Sequence, residues 1–301
     1  QTCALPILIK SFVKQISYER QPDMKTHTML FLSLLFFCSL PVQAADTLSR
    51  INETHTVQCG YVEYSPALTE DMKTGVWSGF NADIMKEIGQ RLDVNIEFAS
   101  PTGWATVVAD LNTKKFDMLC SGFWVHPNVG KFALFSRPFI FQPVFVVARA
   151  NDTRFDHHID LNSPNLKMVA LEGDNPVNIA KADFPQAKVL ELPNMTDFSQ
   201  VLVNVANGRA DFTIVDAYTF GAYNKNNPGK LKLINIQHPV RVYPVSYVFQ
   251  STDVVFRDAV NAALDEMILD GTMDKIFNKV DLYPHAFYRA TIPYTDPALS
   301  R

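Results

Sequence analysis

Acidic and aromatic side chains gather in four short segments: Gly60-Tyr61-Val62-Glu63-Tyr64, Ser121-Gly122-Phe123-Trp124, Glu172-Gly173-Asp174-Asn175 and Val215-Asp216-Ala217-Tyr218. Taken singly, each reads as an ordinary turn with solvated polar residues. Together they suit two kinds of chemistry. The ring faces of Tyr and Trp attract an ammonium group by about 0.5–2 kcal/mol, more when water is excluded. A buried carboxylate also requires a partner, and a cationic ligand supplies one. Alternatively, an acid in an apolar cleft acquires a raised pKa and can move protons, which keeps Glu63 and Glu172 open as catalytic candidates. The stretch from Ser121 to Ser136, SGFWVHPNVGKFALFS, adds a turn at His126-Pro127-Asn128 and one turn cation, Lys131. There is no Ser-x-Gly elbow, phosphate loop or constellation of acid, base and nucleophile. His157-His158 lacks a partner at metal-ligand spacing, so neither a metal nor a cofactor is expected.

The elements before these segments must position them. VQCGYV (57–62) is a strand candidate. FNADIMKEIGQRL (80–92) places Phe80, Ile84, Ile88 and Leu92 at four-residue steps, which predicts an amphipathic helix. NIEF (95–98) is a strand, WATVVADLNTKK a helix with Trp104, Val107, Val108 and Leu111 on one face, and FDMLC the next strand. After the apolar run FQPVFVVARA (141–150) the pattern restarts. KMVALEG is a strand, a helix begins at Pro176, KVLEL is a strand, FSQVLVNVANG is a helix ended by Gly208, and DFTIVDA is a strand. This alternation predicts parallel sheets of βαβ units. Two such runs, joined by apolar strands near 143–149 and 243–250, predict two lobes. The helices VFRDAVNAALDEMILDG and TMDKIFNKV, with no strand expected after them, should return to cover the first lobe. In open α/β sheets ligands bind beyond the carboxyl ends of the strands. All four segments lie there, two per lobe, so the cleft between the lobes is the default binding site.

The net charge is −4 over 301 residues, with no basic block, which argues against nucleic acid or an anionic membrane surface as partner. Met24-Lys25 precedes the apolar run MLFLSLLFFCSL, followed by Pro41 and Val42-Gln43-Ala44-Ala45. That three-part pattern predicts a secretory signal peptide, in a run short of the roughly 20 residues that span a bilayer. Phe37 before Cys38 does not suit a lipoprotein site. The mature chain is expected to begin near Ala45 or Asp46 and to be soluble in the periplasm. In such a compartment Cys59 and Cys120 could form one disulfide, or they could pack as two buried thiols.

GVWSGFNADIMKEIGQRL, TGWATVVADLNTKKFDMLCSGFW and FALFSRPF resemble the first lobe of the extracellular solute-binding proteins of family 3, the amino-acid-type periplasmic receptors of ABC transporters. VALEG, NGRADFTIVD and VNAALDEMILDGTMDKIFNK resemble that family's second-lobe strand, G-x-x-D segment and closing helices. The resemblance implies an α/β, type II periplasmic-binding fold: two α/β lobes joined by two hinge strands, closing on a ligand. It divides the chain into a non-native or out-of-frame leader (1–23), signal peptide (24–44), first part of lobe 1 (45–148), lobe 2 (149–245), return helices (246–285) and C-terminal tail (286–301).

Carried over by position, the family's ligand contacts fall on Tyr64 and Trp104, on Ser121, Gly122 and Trp124, and on Asp216, the acid that takes a ligand's amino group. Asp174 and Asn175 stand where the family has a Thr-Thr pair opening a helix, and Val129 stands where it has an Arg that clamps a carboxylate. An Arg makes a bidentate, charge-assisted clamp and Val makes none. Asp174 would repel an anion, although an N-cap alone accounts for an Asp there. The implied partners are a small nitrogenous solute and the membrane permease of an ABC transporter, with the receptor a monomer. The rival cations for a carboxylate are Lys131 and Arg149. An enzyme reading, similar to the cyclohexadienyl dehydratases of this fold, is the alternative. Such an enzyme needs cations for a carboxylated substrate.

Overall fold

A computed structural model of the protein describes residues 47–155, 161–280, 283 and 285–290. The expected leader, the signal peptide with Cys38, the start at Ala45 or Asp46, His157-His158 and most of the C-terminal tail lie outside the described residues.

In chain order the first elements are α1 (Thr47–Thr54), β1 (Thr56–Tyr61), β2 (Thr69–Asp71), β3 (Val76–Ser78), α2 (Phe80–Leu92), β4 (Asn95–Pro101) and α3 (Val107–Asn112). Next come β5 (Met118–Trp124), α4 (Pro127–Gly130), β6 (Ala133–Phe135), β7 (Ile140–Arg149), β8 (Lys167–Leu171), α5 (Asn175–Asp183) and β9 (Lys188–Leu192). The chain continues through α6 (Ser199–Ala206), β10 (Phe212–Asp216), α7 (Ala217–Asn226), β11 (Leu231–Ile234), β12 (Arg241–Gln250), α8 (Val254–Leu269), α9 (Thr272–Val280) and β13 (Tyr288–Arg289).

The main sheet runs β4-β1-β5-β12-β7-β10-β8-β9, with β11 and β13 added to β7 and β6 to β12. β1 is parallel to β4 and β5, and β8 is parallel to β9 and β10, so the alternating pattern does yield two parallel runs. Between them stand two antiparallel strands of ten residues each, β7 and β12. β7 pairs with β12 through Ile140–Val144 and with β10 through Val144–Ala148. β12 pairs with β7 through Arg241–Val245 and with β5 beyond it. Each long strand therefore belongs to one lobe at one end and to the other lobe at the other. These are the two expected crossings.

Helix α2 buries Phe80, Ile84, Met85 and Ile88, and α8 and α9 add Val260, Leu264, Met267, Ile276 and Phe277 to the same core. The closing helices thus cover the first lobe, as expected. A strand does follow them, however, against the sequence expectation. β10 meets β7 only from Val144 onward, which leaves the edge at Ile140 and Phe141 open, and β13 pairs there. Two residues are too few to show a strand period in sequence.

The helix expected from Trp104 is also shorter, starting at Val107. The Ala105 N–H donates to Asn194 Oδ1 at 3.2 Å, and the Gly103 N–H to Thr106 Oγ1 at 3.1 Å, which holds residues 103–106 in a turn. Similarly, α5 begins at Asn175 rather than Pro176, because Asp174 caps it. Cys59 on β1 and Cys120 on the neighbouring β5 form a disulfide, with their Cα atoms 5.5 Å apart, which decides between the two readings of that pair.

Candidate functional site

Of the eight residues expected at the site, Tyr64, Trp104, Gly122, Trp124, Asp174, Asn175 and Asp216 line one cleft between the lobes, a space of about 460 Å³ partly open to solvent. Ser121 does not. It is fully buried, and its hydroxyl accepts the Val62 N–H and faces the Val62 carbonyl, each at 2.9 Å, so it ties β1 to β5 beneath the cleft.

The first lobe presents rings. Tyr64 and Trp104 meet edge to face at 5.7 Å, and Trp104 lies 5.8 Å from Phe123. Trp124 stacks on Tyr243 at 5.3 Å with planes 5° apart, while its Nε1–H donates to Gln142 Oε1 at 2.8 Å. Burial and these contacts fix the faces that the cleft sees. Asn81, at the second position of α2, sets them from below. Its Nδ2 donates to Tyr64 Oη at 3.2 Å, and its Oδ1 accepts the Gly122 N–H at 3.0 Å. Gly122 has no room for a side chain, since a Cβ would come within 2.8 Å of Val245.

The second lobe presents acids, and local sequence places both. β8 and β10 are buried apolar strands, and each ends at a helix whose N-cap is an Asp. Asp174 Oδ1 accepts the Asn175 N–H at 2.7 Å. The two oxygens of Asp216 accept the Thr219 N–H and hydroxyl, each at 2.8 Å. Both groups are nearly buried, at 8% and 3% exposed. Desolvation raises the Asp174 carboxyl to about 7, opposed by the Asn175 amide and reinforced by the charge of Asp216. Desolvation also raises Asp216, against the Thr219 hydrogen bonds. A carboxylate has about four lone-pair positions, so each acid retains acceptor capacity towards the cleft after capping.

No described Lys or Arg lines this space. Val129 is not a vacant clamp position. It packs in the first lobe's core with Val107, Leu111, Phe123 and Val248 and does not itself line the cleft. Lys131 is exposed and outside the cleft. Arg149 donates to the Val205 and Ala210 carbonyls and to Asp152. Glu63 and Glu172 are exposed and do not line the cleft.

Phe123 and Gly173 also line the cleft, inside two of the four strand-end segments, whereas sequence reading did not place His126, Gln142 or Phe198 there. Phe123 and His126 stood in the SGFWVHP turn, where their types were the available signal. Gln142 lies inside an apolar strand and gives no signal of its own. Across the cleft, Asn175 Nδ2 donates to the Trp124 carbonyl at 3.4 Å, one of the direct bonds between the lobes.

Residues 57–280 match the sequence model of the bacterial extracellular solute-binding proteins, family 3. A probable amino-acid ABC transporter-binding protein of Haemophilus influenzae is 25% identical over 234 residues, 77% of this chain and 87% of that protein. A cyclohexadienyl dehydratase of Pseudomonas aeruginosa is 24% identical over 211 residues, 69% of this chain and 77% of that one. Among solved structures, the ancestral amino acid-binding protein AncCDT-1, a precursor of cyclohexadienyl dehydratase, is similar with a TM-score of 0.69 and 27% identity. That match covers 78% of this chain and 99% of that one.

Proposed function

From the premise that this chain belongs to the bacterial extracellular solute-binding proteins of family 3, with their type II periplasmic-binding fold, we propose that it is the periplasmic receptor of an ABC importer. In this reading it binds a small amino-acid-like or amine-containing solute in the cleft between its lobes and does not transform it. β7 and β12 act as the hinges, bending around Val144–Val147 and Tyr243–Val248 as the cleft closes on ligand. A closed form offers the membrane permease a surface that the open form lacks.

One observation carries the ligand class. Two buried N-cap acids, Asp174 and Asp216, face a wall of rings in a space with no described Lys or Arg. An ammonium group meets both needs of that space: it pairs with the acids and lies on the ring faces. The test is a thermal-shift screen of the mature protein against amines, amino acids and amides, since a ligand that binds only the folded state raises the melting temperature. Stabilisation by amines supports the reading, and stabilisation by anions alone sinks it.

The similarity to a dehydratase, together with an acid held near pH 7, favours one second reading, an enzyme acting on a cyclohexadienyl acid. The absence of a described cation from the lining weighs against a carboxylated substrate. Turnover of such an acid, abolished by Asp174→Asn, would establish this second reading in place of the first.

A further inference from the structure

Around the cleft, Asp174, Asp216, Gln142 and Asn175 have hydrogen-bond partners, whereas His126 has none for its Nδ1 among the described residues. It stands at the N-cap position of α4, in extended backbone, yet its side chain makes no capping hydrogen bond. Its ring stacks on Phe123 at 5.4 Å, with planes 29° apart, and lines the cleft from the first lobe, whereas both acids belong to the second. Its Nδ1 is buried with no hydrogen-bond partner among the described residues. A buried polar atom of this kind is satisfied when something enters the space beside it.

We propose that His126 reads the polar end of the ligand, and that it selects an amine bearing an uncharged amide or hydroxyl group over one bearing a free carboxylate. The inference rests on the reading that the cleft binds an amine. With the amine drawn to Asp174 and Asp216 on one lobe, the rest of a small ligand is directed to the other, where the imidazole lines the cleft among the rings. Burial lowers the imidazole's pKa, so the ring is neutral at neutral pH. A neutral imidazole carries one N–H and one lone pair, whereas an ionised carboxylate only accepts. An amide or hydroxyl can satisfy either ring tautomer. A carboxylate suits only the N–H form, and it would share the cleft with two acids and no described Lys or Arg. Val129 is buried among apolar side chains, and the first lobe's turn brings an uncharged ring to the lining and no cation.

The experiment uses matched probes, the free acids and carboxamides of lysine, arginine and phenylalanine, titrated calorimetrically into the mature protein. The amide should bind at least tenfold tighter than its acid. His126→Phe keeps a ring on Phe123 and should remove that preference, whereas His126→Gln, with a donor and an acceptor, should retain part of it. His126→Arg should invert it towards the acids. Acids binding as tightly as amides to the wild type, or an unchanged ratio in His126→Phe, would overturn the proposal. Asp216→Asn separates the two readings, because it should weaken both members of each pair alike. If no amine of either kind binds, the amine reading falls and this one with it.

Discussion

Asn194 of the second lobe fills the space that a side chain on Gly103 of the first would need, and its Oδ1 accepts the neighbouring Ala105 N–H at 3.2 Å. A second backbone-level contact lies close by: a Cβ on Gly173 would collide with Ala105. At the cleft edge, therefore, a glycine of each lobe lies directly against a residue of the other.

Gly103→Ala should hold the cleft open. Gly103 has no left-handed backbone to strain, so the added methyl acts only through Asn194. Scattering should show a larger radius for the ligand-saturated variant than for the wild type, with affinity reduced about tenfold, or 1.4 kcal/mol. Asn194→Ala in the same chain should restore closure. Equal compaction of variant and wild type would count against a contact-limited closure.

Asp216→Asn should separate binding from folding. Asn caps helices about as well as Asp, so the melting temperature should move little. The charge that pairs with an ammonium is lost, and buried charge pairs broken in this way commonly cost 3–5 kcal/mol. Calorimetry should show at least a hundredfold weaker binding of an amine. Undiminished affinity would remove Asp216 from the ligand's contacts.

Val129→Arg should not create a carboxylate clamp. Val129 is 8% exposed among apolar side chains, so an Arg there carries its charge into the first lobe's core. The expected result is a lower melting temperature with no gain in affinity for any α-amino acid. Tighter binding of a standard amino acid would reverse the reading of this position.

Asp174 gives stability a definite slope with pH. Its folded pKa, about 7, lies above the ordinary 3.8, so between those values the folded state holds more protons than the unfolded. Stability from this group is complete below about pH 4 and is lost as pH rises through 7, by at most about 4 kcal/mol. Asp216 is shifted in the same direction. Melting curves of wild type and Asp174→Asn from pH 4 to 8 should diverge, the variant gaining relative stability as pH rises. Affinity for an ammonium ligand should rise over the same range, because the ionised acid binds it. Parallel melting curves would refute this.

The sequence made much of this legible where a period or a cap spans enough residues. Phe80, Ile84 and Ile88 recur at helical spacing and are buried as that spacing requires. Asp174 and Asp216 end apolar strands and begin helices, so their place in the cleft follows from strand-end geometry alone. Ser121 misled because the Val62 backbone takes up its hydroxyl beneath the cleft, whereas the next three residues, Gly122, Phe123 and Trp124, border it. Gln142 and Asn194 left no trace, since both act through contacts with distant segments, Trp124 and Ala105. The Val129 substitution was visible, but its direction into the core was not, because a four-residue helix has no readable period.

The first lobe takes its strands from both ends of the chain. Arg91 donates to Asp270 at 2.7 Å across a separation of 179 residues, and β12, α8 and α9 complete a core begun by β1 and α2. A polypeptide made amino-terminus first therefore delivers most of that core long before it delivers its lid. The second lobe, contiguous in the chain, can mature earlier, whereas the first must wait with Phe80 and Ile84 uncovered. Pairings so remote in sequence form slowly. The two-crossing layout thus sets a timetable: the lobe that starts first is finished last.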